Sequence, residues 1–257
     1  MSDQQPATTY SLRRKTAAWS VHLFTATGAI CGLMSIKAIY YEEWRVAFLW
    51  MAAAVLVDGL DGALARLVRV KDVLPTFDGT LLDNVIDYLN YVIVPALLIY
   101  WMGLVPTDLP LIPQLDLAMI VAAAMALSSA YQFCQGDAKT HDHYFKGFPS
   151  YWNIVVFYLA VLGLGAWGNL ALIVVLVLLV FVPLKYIYPT RTFRWQRTTL
   201  ILTTLWGIAI FAILWQYPAP DAWLIWASLA YVVYYFAASA AINLRQWLIH
   251  REQRAAA

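Results

Sequence analysis

Residues 58–87 contain D58-G-L-D61-G62-A-L-A65-R66, twelve further residues, and G79-T-L-L-D83-N-V-I-D87. Four aspartates and Arg66 fall in two segments otherwise apolar enough to span a bilayer. A carboxylate at the bilayer centre costs roughly 2.5–3.5 kcal/mol on insertion scales, so four of them require a compensating partner. A divalent cation such as Mn2+ or Mg2+ would serve, because these ions prefer hard oxygen ligands. Asp58 and Asp61 are three apart, and Asp83 and Asp87 four apart, so each pair shares a helix face. In an antiparallel hairpin, residues at equal depth have numbers with a constant sum. Asp58 and Asp87 add to 145, Asp61 and Asp83 to 144, Arg66 and Gly79 to 145. The two acidic faces therefore reach the same depths, with Asp58 and Asp87 roughly 12 Å inside the mouth marked by Arg66 and Gly79. All four carboxylates are expected to converge on one or two ions.

The rest of the chain fits a membrane protein. Of its 257 residues 62% are hydrophobic and 12% charged, with mean hydropathy +0.65; soluble domains carry about 25% charged residues. The expected architecture is an all-α polytopic membrane helix bundle. Eight spans are predicted near 19–39, 45–67, 80–104, 114–136, 148–166, 169–188, 197–215 and 222–248, each close to the roughly 20 residues a crossing needs. Residues 1–18 read as a cytoplasmic segment in which Thr9 to Trp19 forms a short amphipathic helix, 19–248 as the transmembrane domain, and 249–257 as a cytoplasmic tail. Fifteen of the 17 lysines and arginines then lie on one side, with only Lys37 and Arg45 opposite. The positive-inside rule places the termini and the aspartate mouth in the cytoplasm. Cys31 and Cys134 read as small buried residues without a disulfide. No basic face remains for nucleic acid.

The pattern D-x2-D-G-x2-A-R-x12-G-x3-D-x3-D resembles the signature of the CDP-alcohol phosphotransferases, membrane enzymes of phospholipid synthesis. Asp58, Asp61, Gly62, Ala65, Arg66, Gly79, Asp83 and Asp87 match its fixed positions; the gap from arginine to glycine is longer than is usual in the family. Three further stretches, around His22, F-K146-G-F-P149-S-Y151-W152-N153 and P183-L-K185-Y-I-Y188-P-T-R191, resemble the members that use choline. Serine-using members tend to carry a second proline where Tyr151 stands. The resemblance implies transfer of the phosphatidyl group of CDP-diacylglycerol to choline with release of CMP, the work of two divalent ions in a bacterial inner-membrane protein that forms a homodimer among membrane lipids. It makes Asp58, Asp61 and Asp83 the principal metal ligands. Asp87 becomes the general base, also able to touch the second metal. Gly62, Ala65, Arg66 and Gly79 become the CDP-diacylglycerol contacts.

A quaternary ammonium donates no hydrogen bonds and is held by aromatic faces. Candidate choline or lipid contacts are Tyr151, Trp152, Asn153, Tyr88, Lys185, Tyr186, Tyr188, Arg191 and His22. Serine or another small alcohol is the nearest alternative acceptor. A cation-coupled transporter, whose intramembrane acids bind ions, is the alternative of a different class. No inverted repeat supports it, and the acids cluster at one hairpin.

Overall fold

The computed structural model describes residues 10–108, 112, 115–142, 144–188 and 196–256. Residues 1–9, Arg191 and Arg194 lie outside the described residues. Helix α1 (Leu12–Tyr40) runs 29 residues without a break. The separate amphipathic helix expected before residue 19 is therefore not a distinct element. No proline interrupts the stretch, so Arg13, Arg14 and Lys15 form the exposed first turns of the first span itself. Helix α2 (Trp44–Val68) ends at Arg69, which takes the left-handed conformation, and the single turn α3 (Val70–Val73) follows. Val70 and Val73 pack on Ala18 and Val21, closing this end against α1.

The third rod is α4 (Gly79–Tyr88), a π-helical turn (Leu89–Ile93) and α5 (Val94–Trp101). Asp78 caps α4: its Oδ1 accepts from the backbone N–H groups of Thr80 and Leu81, both at 3.0 Å. Helix α6 (Leu117–Cys134) leads through a turn to strand β1 (Tyr144–Lys146). Helices α7 (Trp152–Leu162) and α8 (Ala166–Phe181), strand β2 (Lys185–Ile187), α9 (Gln196–Gln216) and α10 (Ala222–Ala256) complete the chain.

Among the described residues six helical rods, counting α4 to α5 as one, are long and apolar enough to cross a membrane. The expected fifth and sixth spans are shorter than predicted, at 11 and 16 residues. Ser150, at φ 56°, turns the chain immediately before α7. Gly163 and Gly165, at φ 62° and 76°, break it before α8. Residues 185–187 leave the sixth span altogether to pair antiparallel with β1, Phe145 opposite Tyr186. Helix α10 continues to Ala256, beyond its apolar part, which ends at Ile249. Cys31 is buried as expected, but Cys134 is exposed because it is the last residue of α6.

Helix α1 lies against both α2 and the third rod, and it is shaped for that role. Gly28 and Gly32 stand one turn apart on its buried face. A Cβ at Gly28 would stand 2.5 Å from Ile86 Cγ2, and one at Gly32 would stand 2.8 Å from Leu89 Cδ2. Small residues permit this close approach of rods. Asn90 in the π turn seals it, its Nδ2 donating to the carbonyls of Gly28 at 2.9 Å and Ile86 at 3.0 Å. Gly28→Leu should therefore cost about 1–3 kcal/mol of stability through overpacking and lower the thermal midpoint in detergent. Gly207→Leu in α9, where a Cβ meets nothing within 4 Å, should leave the midpoint unchanged. Equal midpoints for Gly28→Leu and the unaltered protein would show that this contact does not define the hairpin.

Candidate active site

Asp58 on α2 and Asp83 and Asp87 on α4 each present an oxygen, all three within 4.8 Å of one another. That separation is close to the span of two metal–oxygen bonds of about 2.0–2.6 Å. The three side chains are partly buried, and hard carboxylate oxygens are the donors that a divalent cation of the magnesium or manganese type takes. The trio could thus hold such an ion.

Asp61 falls outside this radius. It is buried and faces the Thr25 hydroxyl of α1 and Arg66, one turn further toward the hairpin mouth. The expected fourfold convergence is thus a cluster of three, with Asp61 outside it. A helical step of three residues advances about 4.5 Å, which moves Asp61 along the rod relative to Asp58.

Tyr91 was not among the expected site residues. Its hydroxyl donates to Asp58 Oδ2 at 2.7 Å and fixes that carboxylate. The signal was present, because Asp83, Asp87 and Tyr91 recur at intervals of four and share a face. The π turn that holds Tyr91 was not legible; such turns often occur at functional sites.

The trio opens onto a cavity of about 250 Å³. Phe133 lines it, as do Tyr91, Phe145, Tyr151 and Tyr188. The last four rings form a chain of contacts, with centroids 6.5 Å apart for Tyr91–Tyr151, 6.0 Å for Phe145–Tyr151 and 4.5 Å for Phe145–Tyr188. The two-stranded ribbon brings Phe145 and Tyr188 together. Gln132 of α6 anchors the ribbon by donating to the Lys146 carbonyl at 2.7 Å. Asn243 and Ser239 of α10 hold β2 through the backbone of Lys185 and Ile187. Lys146 pairs with Asp137 and Lys185 with Asp142, both at 2.6 Å. The hydrogen bond from Lys146 holds the exposed Asp137 carboxyl below its usual range.

The remaining expected contacts are placed elsewhere. Trp152 is fully buried, its indole N–H donating to Ser129 Oγ at 2.7 Å. It follows Tyr151, the non-helical residue before α7, and only Tyr151 of the two lines the cavity. Asn153 is buried beside it. The Tyr88 hydroxyl donates to the Ala126 carbonyl at 2.9 Å, and Tyr186 is buried against Tyr235. Lys185 is occupied by Asp142. His22 packs on Phe77, ring centroids 4.3 Å apart, and a Cβ on Gly79 would stand 2.5 Å from its Cε1. Gly79 is thus small for packing. At Gly62 a Cβ would meet only the Arg66 Nη1, at 3.4 Å. Arg66 is exposed, and Ala65 packs with the α1–α3 cluster.

Calorimetric titration of Mn2+ into the detergent-purified protein should show binding that Asp83→Asn abolishes. Tyr91→Phe should weaken it about 10- to 100-fold, the usual effect of removing a hydrogen bond to a ligating group. An unchanged affinity in Tyr91→Phe would leave the hydroxyl without a role in orienting Asp58.

No family model matches the chain. It is similar to the phosphatidylcholine synthase of Legionella pneumophila, at 44% identity over 232 residues covering 88% of each protein. The phosphatidylcholine synthase of Legionella bozemanae is 40% identical over 80% of this chain and 95% of its own. That of Pseudomonas aeruginosa is 40% identical over 80% of this chain and 83% of its own. Identity of this level over most of both lengths shows the family: the chain belongs to the phosphatidylcholine synthases.

Proposed function

We propose that the protein transfers the phosphatidyl group of CDP-diacylglycerol to choline and releases CMP. Its site faces the cytoplasm of a bacterial inner membrane. The observation that carries this reading is the shared cavity. It is lined both by the three carboxylates and by the rings of Tyr91, Phe133, Phe145, Tyr151 and Tyr188. A quaternary ammonium is attracted to ring faces and asks for no acceptor or donor at close range. Choline bound there has its hydroxyl within the same chamber as the carboxylates.

In the reaction, the choline oxygen bonds to the lipid-side phosphorus. The bond from that phosphorus to the oxygen it shares with CMP breaks, and its electron pair leaves on the CMP phosphate. The hydroxyl proton passes to the Asp87 carboxylate, which acts as general base. Asp58, Asp61, Asp83 and Asp87 are the proposed residues for divalent cations, Mn2+ or Mg2+. When bound, such ions would neutralise the diphosphate and the charge developing on the leaving group. Tyr91 orients Asp58. The open face at Gly62, overlain by Arg66, suits the nucleotide side of the donor, since a guanidinium can bridge phosphate oxygens.

Purified protein supplied with CDP-diacylglycerol and Mn2+ should release CMP with choline. Serine should support release at least about a hundredfold less well, because ring faces leave the N–H donors of its ammonium group unpaired. Tyr151→Ala and Tyr188→Ala should each raise the choline KM about two- to thirtyfold while changing the CDP-diacylglycerol KM less. Efficient turnover of serine would contradict choline as the acceptor. An unchanged choline KM in both variants would move the ammonium out of this cavity.

A further inference from the structure

Three lysines crown the ribbon end of the site, and they are not equivalent. Lys146 and Lys185 are each closed by an aspartate at 2.6 Å. Lys139 forms no salt bridge among the described residues, yet it lines the cavity beside Asp58, Asp83 and Asp87. It is also the basic residue whose charge acts on all three of those carboxylates, whereas Arg66 serves Asp61.

The segment carrying Lys139 is braced. Its backbone pairs with Phe145, the Lys146 N–H donates to the Ala138 carbonyl at 2.9 Å, and Asp137 is tied to the Lys146 ammonium. The lysine is therefore presented to the cavity from a fixed turn. It faces the carboxylates across open space and does not collapse onto them. Such a gap between an ammonium and three acids suits a ligand that carries anionic oxygens. Choline carries none and would be repelled by a lysine; the diphosphate of the donor carries several.

Resting on the reaction proposed above, we infer that Lys139 binds the diphosphate of the nucleotide–lipid donor, its ammonium taking a phosphate oxygen across the cavity from Asp58, Asp83 and Asp87. As a compact point charge with three rotatable donors, a lysine can stay on the phosphate that departs with CMP. It thereby sets donor affinity and product release, while the aromatic walls set acceptor affinity.

In the full-length enzyme, Lys139→Ala should raise the CDP-diacylglycerol KM about tenfold or more, as expected for loss of a charge-assisted hydrogen bond, and leave the choline KM unchanged. Lys139→Arg, which keeps the charge, should recover most of the loss. CMP binding measured by calorimetry in the presence of Mn2+ needs no turnover. It should weaken in Lys139→Ala and return in Lys139→Arg, with Mn2+ affinity not reduced in either. CMP binding equal to wild type in Lys139→Ala, or a rise confined to the choline KM, would overturn the inference. Wild-type protein that fails to use choline but binds CMP through Lys139 would sink the acceptor assignment and leave this one standing.

Discussion

Placing several carboxylates inside apolar rods is the constraint on which this structure depends. Each would cost roughly 2.5–3.5 kcal/mol at the bilayer centre without a partner. The fold answers by gathering three of them from two helices onto one point and giving Asp58 a hydroxyl donor in Tyr91. Helix α1 makes the arrangement possible. Its Gly28 and Gly32 accept Ile86 and Leu89 at a distance that any side chain would obstruct. Asn90 then binds the α1 backbone directly. The π turn after Asp87 and Tyr88 advances the register enough to serve two partners, with Asn90 buried toward α1 and Tyr91 directed to Asp58.

The second half of the site comes from outside the long rods. A short ribbon, held by Gln132 on one side and by Asn243 and Ser239 on the other, delivers Phe145 and Tyr188 to the carboxylates. Gly147 permits the ribbon to turn at φ 80° against the Val180 carbonyl, where a Cβ has no room. The chamber therefore combines hard oxygens and aromatic rings. These are the chemistries needed for a phosphate-activating ion and for a quaternary ammonium.

Much of this was legible in the sequence, and the failures have physical causes. The intervals of three and four between aspartates, together with the constant residue sums, located the hairpin. They could not register the step that leaves Asp61 beside Thr25 and Arg66. Hydropathy windows count apolar residues, so they overran at 148–166 and 169–188. There a serine and two glycines with positive φ end the helices early, and 185–187 pairs as a strand. Tyr151 and Trp152 are indistinguishable by composition, and only the backbone bend at the start of α7 sends one to the cavity and the other to Ser129. Lys139 counted only as a cytoplasmic charge, because nothing local in the chain tells a paired lysine from an unpaired one. Tyr91 could have been found, since it continues the four-residue interval of Asp83 and Asp87.

The central claim is that the carboxylate trio and the aromatic walls hold one ion and one choline in a single chamber. Electron–nuclear double resonance tests this directly, on the purified protein loaded with Mn2+ and with choline deuterated in its methyl groups. A resolved coupling between the manganese and the methyl deuterons is expected, and it should vanish in Asp83→Asn, which loses the ion. Bound Mn2+ and bound choline with no coupling between them would place the two ligands in separate sites and contradict the shared chamber.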